Sequence, residues 1–396
     1  MASHRNCCAG AANLQYTLDF NEDDVFLSIV PLHHILGTIG DFIMPMSVGA
    51  SVSYCEGLQH LPRNIKETRP TTLFTAPAIV EGIYKQIWFT LKKTGKAEQI
   101  QQLIAENNFS LEQSREVFKE IYDGVLGGRL KMFANGGAAI SPEVVKGWRD
   151  FGVLALTGWG LTETLAPISC EGPEHIRNNS AGLIVPNTEW KILNPDENGH
   201  GEIVIKGPSV MLGYYEDEEA TKEAFTEDRY LHTGDFVNVD KDNFIYILGR
   251  LKNIIKTKNG ELVFPEELEL LLTANPYVKE CLVFAKAMEG SDDSVVATSV
   301  FPDKDAIREK FGDIDDAQIV KIMNEQIQSF NSDMPPSKVI WDVTVRDTEF
   351  EKTPSRKIKR YGDNLPPQAA HTASMAGSVQ DISTSNTAPK ADHDLR

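Results

Sequence analysis

Two rhythms of apolar and polar residues run along this chain. In its first 160 residues, short apolar runs stand between stretches of helical spacing. DVFLSIVPL (24–32), ASVSYC (50–55), TTLFTAP (71–77), LKMFANGG (130–137) and VLALTGWG (153–160) each read as a buried strand ending in Pro, Gly or a polar turn. Between Thr75 and Gly128 the spacing of Ile79, Val80, Ile83, Ile87 and Leu91 predicts an amphipathic helix. SLEQ at Ser110–Gln113 is a capping box that opens a second one. Strands alternating with helices predict β–α–β units around a largely parallel sheet. The apolar stretch Val25–Tyr54 contains Pro31, His33, His34, Asp41 and Pro45, so it reads as a strand followed by a buried helix and not as a membrane span.

From about Ala181 the texture changes. EWKILNPDENGHGEIVIKGPSVMLGYY has strands separated by Asn-Pro-Asp and Asn-Gly turns, a β-rich subdomain. After Gly249 a smaller α+β unit follows, with PEELELLLTANPYV as helix, ECLVFAKA as strand and DAQIVKIMNEQIQSF as helix. The predicted architecture is a partial α/β large domain with parallel-sheet αβα layers and a β-rich subdomain (1–248), a small α+β C-terminal domain (249–361) and a disordered tail (362–396). The tail is rich in Ala, Ser, Thr and Pro and poor in aliphatic residues.

Composition narrows the function. With 57 acidic and 39 basic side chains among 396 residues the formal charge is −18, which excludes general affinity for nucleic acid. Cys7, Cys8, Cys55, Cys170 and Cys281 have no metal-ligand spacing and read as reduced thiols of a cytoplasmic protein. No charged, then apolar, leader opens the chain.

Against that acidic background four stretches carry chemistry. LTGWGLTET (156–164) follows a strand with an aromatic between glycines, then two threonines around a carboxylate. The ring offers a face to a base, the hydroxyls reach a phosphate, and Glu163 can hold Mg²⁺. A plain strand-to-helix turn with a threonine N-cap has the same pattern. FANGGAAISPE (133–143) has glycines that let the backbone approach a flat ring, though Gly-Gly before a helix is common packing chemistry. LHTGDFVNVDKDNFIYILGRLKNIIKTKNGELV (231–263) places Asp235 after a Thr-Gly turn, free to accept two ribose hydroxyls. Arg250 lies past the hairpin turn DKDN and is able to reach the same sugar. EKTPSRKIKR (351–360) concentrates five cations in ten residues, otherwise a solvated basic strand.

Taken together and in this order, the motifs resemble the adenylate-forming superfamily, and within it the long-chain-type acyl-CoA synthetases. The resemblance runs from Ser3 to about Arg360. It implies an AMP-forming ligase that converts a long- or medium-chain fatty acid to an acyl-adenylate with Mg·ATP, then to a thioester with CoA. Gly137 and Ala138 would line the adenine, and Trp159, beside Gly160, would stack on it where the family usually has Tyr. Thr162 would contact the α-phosphate and Glu163 the Mg²⁺. Asp235 and Arg250 would hold the ribose, Lys252 would be the hinge between half-reactions, and Lys357 the catalytic lysine of adenylation. His34 and Gly260 would lie at the acyl and CoA channel. Fatty acid, ATP and CoA are the implied partners, with no transmembrane segment and peripheral membrane contact left open. A carrier protein as acyl acceptor is an alternative.

Two departures stand out. Arg356 precedes the lysine where the family usually has Gly, and no phosphate loop of the form TSGTTGxPKG occurs in the 396 residues. In the family that loop is followed by a Met-x-Ser/Thr-His-x-Asn segment, and this chain opens MASHRN. The resemblance therefore implies that the first third of the large domain lies upstream of Met1. A catalytically impaired remnant that binds nucleotide or partners is the contrasting expectation.

Overall fold

The computed structural model describes residues 1–137, 140–165, 167–257, 260–288, 294–353 and 357–365. Among these, seven strands form one sheet: β1 (Val25–Ser28), β2 (Ser51–Tyr54), β3 (Thr72–Thr75), β4 (Met132–Gly136), β5 (Leu154–Gly160), β6 (Pro167–Cys170) and β7 (Leu183–Ile184), in the order β2-β1-β3-β4-β5-β6-β7. The five predicted apolar runs are β1 to β5, and they pair in parallel; β6 and β7 add antiparallel edges. Because side chains alternate between faces, Leu27, Leu73, Phe133 and Ala155 pack under one helix layer, and Phe26, Phe74, Ala134 and Leu156 belong to a core on the other. This is the expected αβα layering.

The helix predicted at Ile79–Leu91 is Pro77–Lys93. Ser110 caps Leu111–Val117 through the expected capping box, but Phe118 breaks the continuation into a separate helix, Lys119–Leu126. Helix His4–Leu18 escaped the sequence reading. Its start is a Ser3/Asn6 capping box, and HRNCCAGAANLQYTL buries only Ala11, Leu14 and Leu18 as aliphatic side chains, too few for a visible stripe. Between β1 and β2 the buried helix is present but irregular: Ile35–Thr38, a π-helical turn Ile39–Ile43, then Met44–Val48. It lies hard on the sheet at Gly40, where a Cβ would sit 3.1 Å from the Phe74 ring.

A second, antiparallel sheet has the order β11-β10-β9-β8, from β8 (Glu189–Leu193), β9 (Gly201–Lys206), β10 (Leu231–Val239) and β11 (Ile245–Arg250). The DKDN turn joins β10 to β11. Asp240 Oδ1 accepts the Asp242 and Phe244 N–H groups, and Asn243 takes a left-handed φ of 65°.

Beyond β11 come a two-stranded ribbon, β12 (Ile255–Lys256) with β13 (Leu262–Val263), and a three-stranded sheet, β14 (Val278–Ala287), β15 (Ser294–Pro302) and β16 (Asp342–Val345). Helices Pro265–Thr273 and Asp316–Ser332 cover this sheet through Leu268, Leu272, Ile319, Met323 and Ile327, which form a core of their own with Val283 and Val300. The expected tail falls outside the described residues from 366 on. Within its first residues Gly362–Asn364 makes a short 3₁₀ turn with Asn364 fully buried.

Candidate active site

A polar cluster is built where the two larger sheets meet. In β10 the Thr233-Gly234-Asp235 turn interrupts the β9 ladder, whose register shifts between His232 and Phe236. Gly234 adopts a φ of 65°, Thr233 Oγ1 donates to the Ile203 carbonyl at 2.6 Å, and the Asp235 N–H returns to Thr233 Oγ1 at 3.1 Å. The bulge fixes Asp235, which is 2% exposed. Arg250 is its register partner across β10 and β11. The Arg250 Nε lies 2.7 Å from Asp235 Oδ1, while Nη1 donates to the Thr233 carbonyl at 3.1 Å. At the end of β5, Trp159 Nε1 donates to Asp235 Oδ2 at 2.9 Å.

This corrects one expectation. The Asp235 carboxylate is not free; a guanidinium and an indole each hold one oxygen, and ribose hydroxyls would add to those bonds at the remaining lone pairs. Burial pushes the Asp235 carboxyl up to about 6, against the opposing pull of Arg250 and Trp159.

Lys357 comes from the small unit, where its backbone pairs back to Thr353. Its N–H donates to Thr353 Oγ1, its carbonyl accepts the Thr353 N–H at 2.8 Å, and Lys352 and Ile358 form an antiparallel bridge. Asn364 fastens this pairing, donating to the Glu351 and Lys359 carbonyls at 2.8 Å each. The basic stretch is not simply solvated: Lys352 pairs with Glu280 and Glu349, Lys359 with Glu351, and Arg360 with Glu269. Lys357 differs. The residue is exposed overall, but its side-chain end reaches the large unit, with Nζ 3.2 Å from where a Gly137 Cβ would stand. Loss of hydration there, followed by the nearby Arg250 charge, holds its pKa below the usual lysine value, and Asp235 opposes the shift.

The remaining expected residues lie in several places. Thr162 and Glu163 form a 3₁₀ turn directly after β5; Thr162 is exposed, and Glu163 Oε1 accepts the Tyr214 hydroxyl at 3.0 Å. Tyr214 was missed by the sequence reading; its signal was the GYY that closes the β-rich stretch. The turn is braced further by Met211 N–H on the Glu163 carbonyl at 2.7 Å, and Asn6 Nδ2 donates to the Pro208 and Val210 carbonyls. His34 caps helix Ile35–Thr38, its Nδ1 accepting the Leu36 N–H at 3.2 Å. Partial burial, then the positive charges of Lys357 and His33, lower its pKa and favour the neutral ring. Gly160 is exposed at the end of β5, and Lys252 lies on the 3₁₀ turn Leu251–Asn253 between the units. Gly260 occupies the open turn between β12 and β13, with no atom within 4 Å of where a Cβ would stand. Ala138 and Arg356 lie outside the described residues.

Gly137, Trp159, Asp235, Arg250 and Lys357 thus converge, with His34 close enough to sense the lysine. Among the described residues no group of three or more His, Cys, Asp or Glu is placed to hold a metal ion, and no helix is long and apolar enough to cross a membrane. All five cysteines are unpaired.

The AMP-binding enzyme family model matches residues 1–215, and the model of the AMP-binding enzyme C-terminal domain matches residues 252–362. The chain is 30% identical over 322 residues to long chain acyl-CoA synthetase 6, peroxisomal, of Arabidopsis thaliana, covering 76% of this chain and 45% of that protein. It is also 30% identical over 319 residues to long-chain-fatty-acid–CoA ligase 2 of Schizosaccharomyces pombe, covering 71% and 45%. The chain spans about half the length of these relatives. Its fold matches that of O-succinylbenzoate coenzyme A synthetase from Bacillus subtilis, solved with ATP and magnesium ion, with a TM-score of 0.66 and 22% identity over 90% of this chain and 65% of that one. The chain belongs to the AMP-binding enzyme family.

Proposed function

We propose that this chain carries the ribose site, the catalytic lysine and the mobile C-terminal domain of a long-chain fatty acid–CoA ligase that forms AMP. The observation that carries the reading is Lys357 Nζ, delivered by the small unit to Gly137 beside the Asp235–Arg250 pair. In this reading the fatty acid carboxylate attacks the α-phosphorus of ATP, pyrophosphate leaves, and the CoA thiol then displaces AMP from the acyl-adenylate. Negative charge gathers on the phosphate and the carboxylate oxygens in the first step, where the Lys357 ammonium would stabilise it. Asp235 and Arg250 hold the ribose, Trp159 and Gly137 flank the adenine, and Thr162 faces the α-phosphate. His34, neutral, borders the acyl and thiol path. The small domain turns about Lys252 between the two steps.

Glu163 would hold Mg²⁺, which would neutralise phosphate charge. A lone carboxylate with one oxygen occupied by Tyr214 suits a cation that takes most of its ligands from water and nucleotide. We assign the protein to the cytoplasm from its unpaired thiols; the name of one relative places that relative in peroxisomes.

A second reading rests on the absence of a TSGTTGxPKG stretch from the 396 residues. Without its backbone donors for the β- and γ-phosphates, the chain would bind nucleotide or partners without turnover. Fatty-acid-dependent ATP–pyrophosphate exchange separates the two, measured on the chain alone and with a homologous upstream segment supplied. Exchange by the chain alone sinks the second reading, and exchange only with the added segment supports a ligase completed from upstream. Exchange in neither overturns it. Replacing CoA by an acyl carrier protein in the second step identifies the acceptor.

A further inference from the structure

The small unit touches the large one at residues to which the sequence reading gave no role. Gly249 of β11 faces helix Pro265–Thr273. A Cβ there would lie 2.9 Å from Phe264 Cδ1 and 3.1 Å from Glu266 Oε2, so the bare glycine backbone is what admits this close approach. Its register partner on β10, Phe236, stacks on Phe264 with ring centroids 5.6 Å apart and planes at 27°. Glu266 branches from this contact. Its Oε1 accepts from Asn253 Nδ2 at 2.6 Å and lies 3.5 Å from Arg360 Nη2, while Oε2 is buried without a hydrogen-bond partner. Arg360, three residues past Lys357, also holds Glu269 Oε2 at 2.5 Å and the Val283 carbonyl at 3.1 Å. One carboxylate therefore meets the large unit, the residue after the hinge lysine, and the arginine that follows Lys357.

We propose that Gly249 and Phe236 form a seat for the small unit, and that Phe264 and Glu266 are positioning residues that hold Lys357 at the nucleotide site only while the unit is seated. What Lys357 does there rests on the ligase reading; the seat itself does not. The contacts divide by which unit they belong to. Phe264 on Phe236 and Glu266 on Gly249 span both units and must break if the small one turns. Arg360 with Glu269 and Val283 lies inside the small unit and travels with it. The Glu266 charge raises the pKa of Asp235 and the Arg250 and Lys357 charges lower it, so the two units meet through charge as well as through the aromatic stack.

Hydroxyl-radical footprinting of the full 396-residue chain tests this without requiring turnover. Gly249→Ala is expected to raise the oxidation rate of Phe236 and Phe264 at least threefold. Phe133, in the large core, and Phe284, in the small sheet, should keep their wild-type rates. Phe236→Ala, read at Phe264, is the second variant with the same expectation. A selective rise in neither variant overturns the seat. In the two half-reactions of an enzyme completed by a homologous upstream segment, Gly249→Ala and Glu266→Ala are expected to lower acyl-adenylate formation at least tenfold while changing thioester formation from supplied acyl-adenylate and CoA less than threefold; equal losses in both would remove the positioning role. Absence of both half-reactions from the completed wild type would count against the ligase reading, and the footprint would still decide the seat.

Discussion

Trp159 and Asp235 stand 76 positions apart in the chain and share a 2.9 Å hydrogen bond, indole N–H to carboxylate, where the parallel sheet ends and the antiparallel one begins. The ring expected to serve the base is also a bracket for the group expected to hold the sugar. Trp159→Phe keeps an aromatic face and removes the donor. It should weaken AMP binding about fivefold to tenfold and cost about 1–2 kcal/mol of stability, since a partly satisfied buried carboxylate remains. Calorimetric titration with AMP and thermal unfolding check both; unchanged affinity would separate the indole from the sugar site.

The sign of the pH dependence at Asp235 follows from burial. Its folded-state pKa of about 6 lies above the ordinary carboxylate value, so the native state holds the proton longer than the unfolded chain does. Its favourable contribution is complete below about pH 4 and is lost as pH rises through 6. Ribose binding runs the other way, because the ionised carboxylate is the better acceptor. AMP affinity should therefore climb between pH 5 and 7, and Asp235→Asn should flatten that rise and lower the affinity. An identical slope in the variant would show that another group titrates.

Asp41 is a second raised carboxyl, and no step of the proposed reaction uses it. It sits on the π-helical turn, fully buried. The nearby Ser28 hydroxyl and Val30 N–H act to lower its pKa, but burial outweighs them. Burial pushes it up to about 8. By the same sign rule its contribution is complete near pH 4 and declines up to pH 8, a loss of as much as about 4 kcal/mol by pH 7. Asp41→Asn should raise the melting temperature at pH 7.5 and leave it unchanged or lower at pH 4.5. A gain of equal size at both values would rule out titration as the cause.

Lys357→Ala in an enzyme completed by an upstream segment should reduce adenylate formation by a hundredfold or more and largely spare thioester formation from supplied acyl-adenylate. The reason is geometric: the ammonium faces Gly137 and the Asp235–Arg250 pair, where phosphoryl charge would develop. Equal loss of both half-reactions would contradict that assignment.

Much of this was visible in the sequence where a local rule and the global fold agree. VLALTGWG is apolar, short and ended by glycine, and it is a central strand; SLEQ carries its own cap, and Ser110 uses it. Helix His4–Leu18 was not visible, because Ala11, Leu14 and Leu18 are its only buried aliphatic side chains, too few to draw a hydrophobic stripe. The ion-paired state of Asp235 was not visible either, because Thr-Gly-Asp shows a turn but not the strand that lies opposite it. Glu266 and Tyr214 each meet a partner far along the chain, Arg360 at 94 positions and Glu163 at 51. Sequence spacing does not show such distant pairings.

The link between Asn6 and the Pro208 and Val210 carbonyls closes a loop of roughly two hundred residues. Contacts of such long range carry a high loop-closure cost and form late in folding. The Glu163 turn, tied to the same strap through Met211, would then be among the last parts of the large unit to set and among the first to loosen. In hydrogen exchange, the Met211 and Leu212 amides should open well below the free energy needed for the Phe133 amide of β4. Equal protection would show that the strap and the sheet unfold as one body.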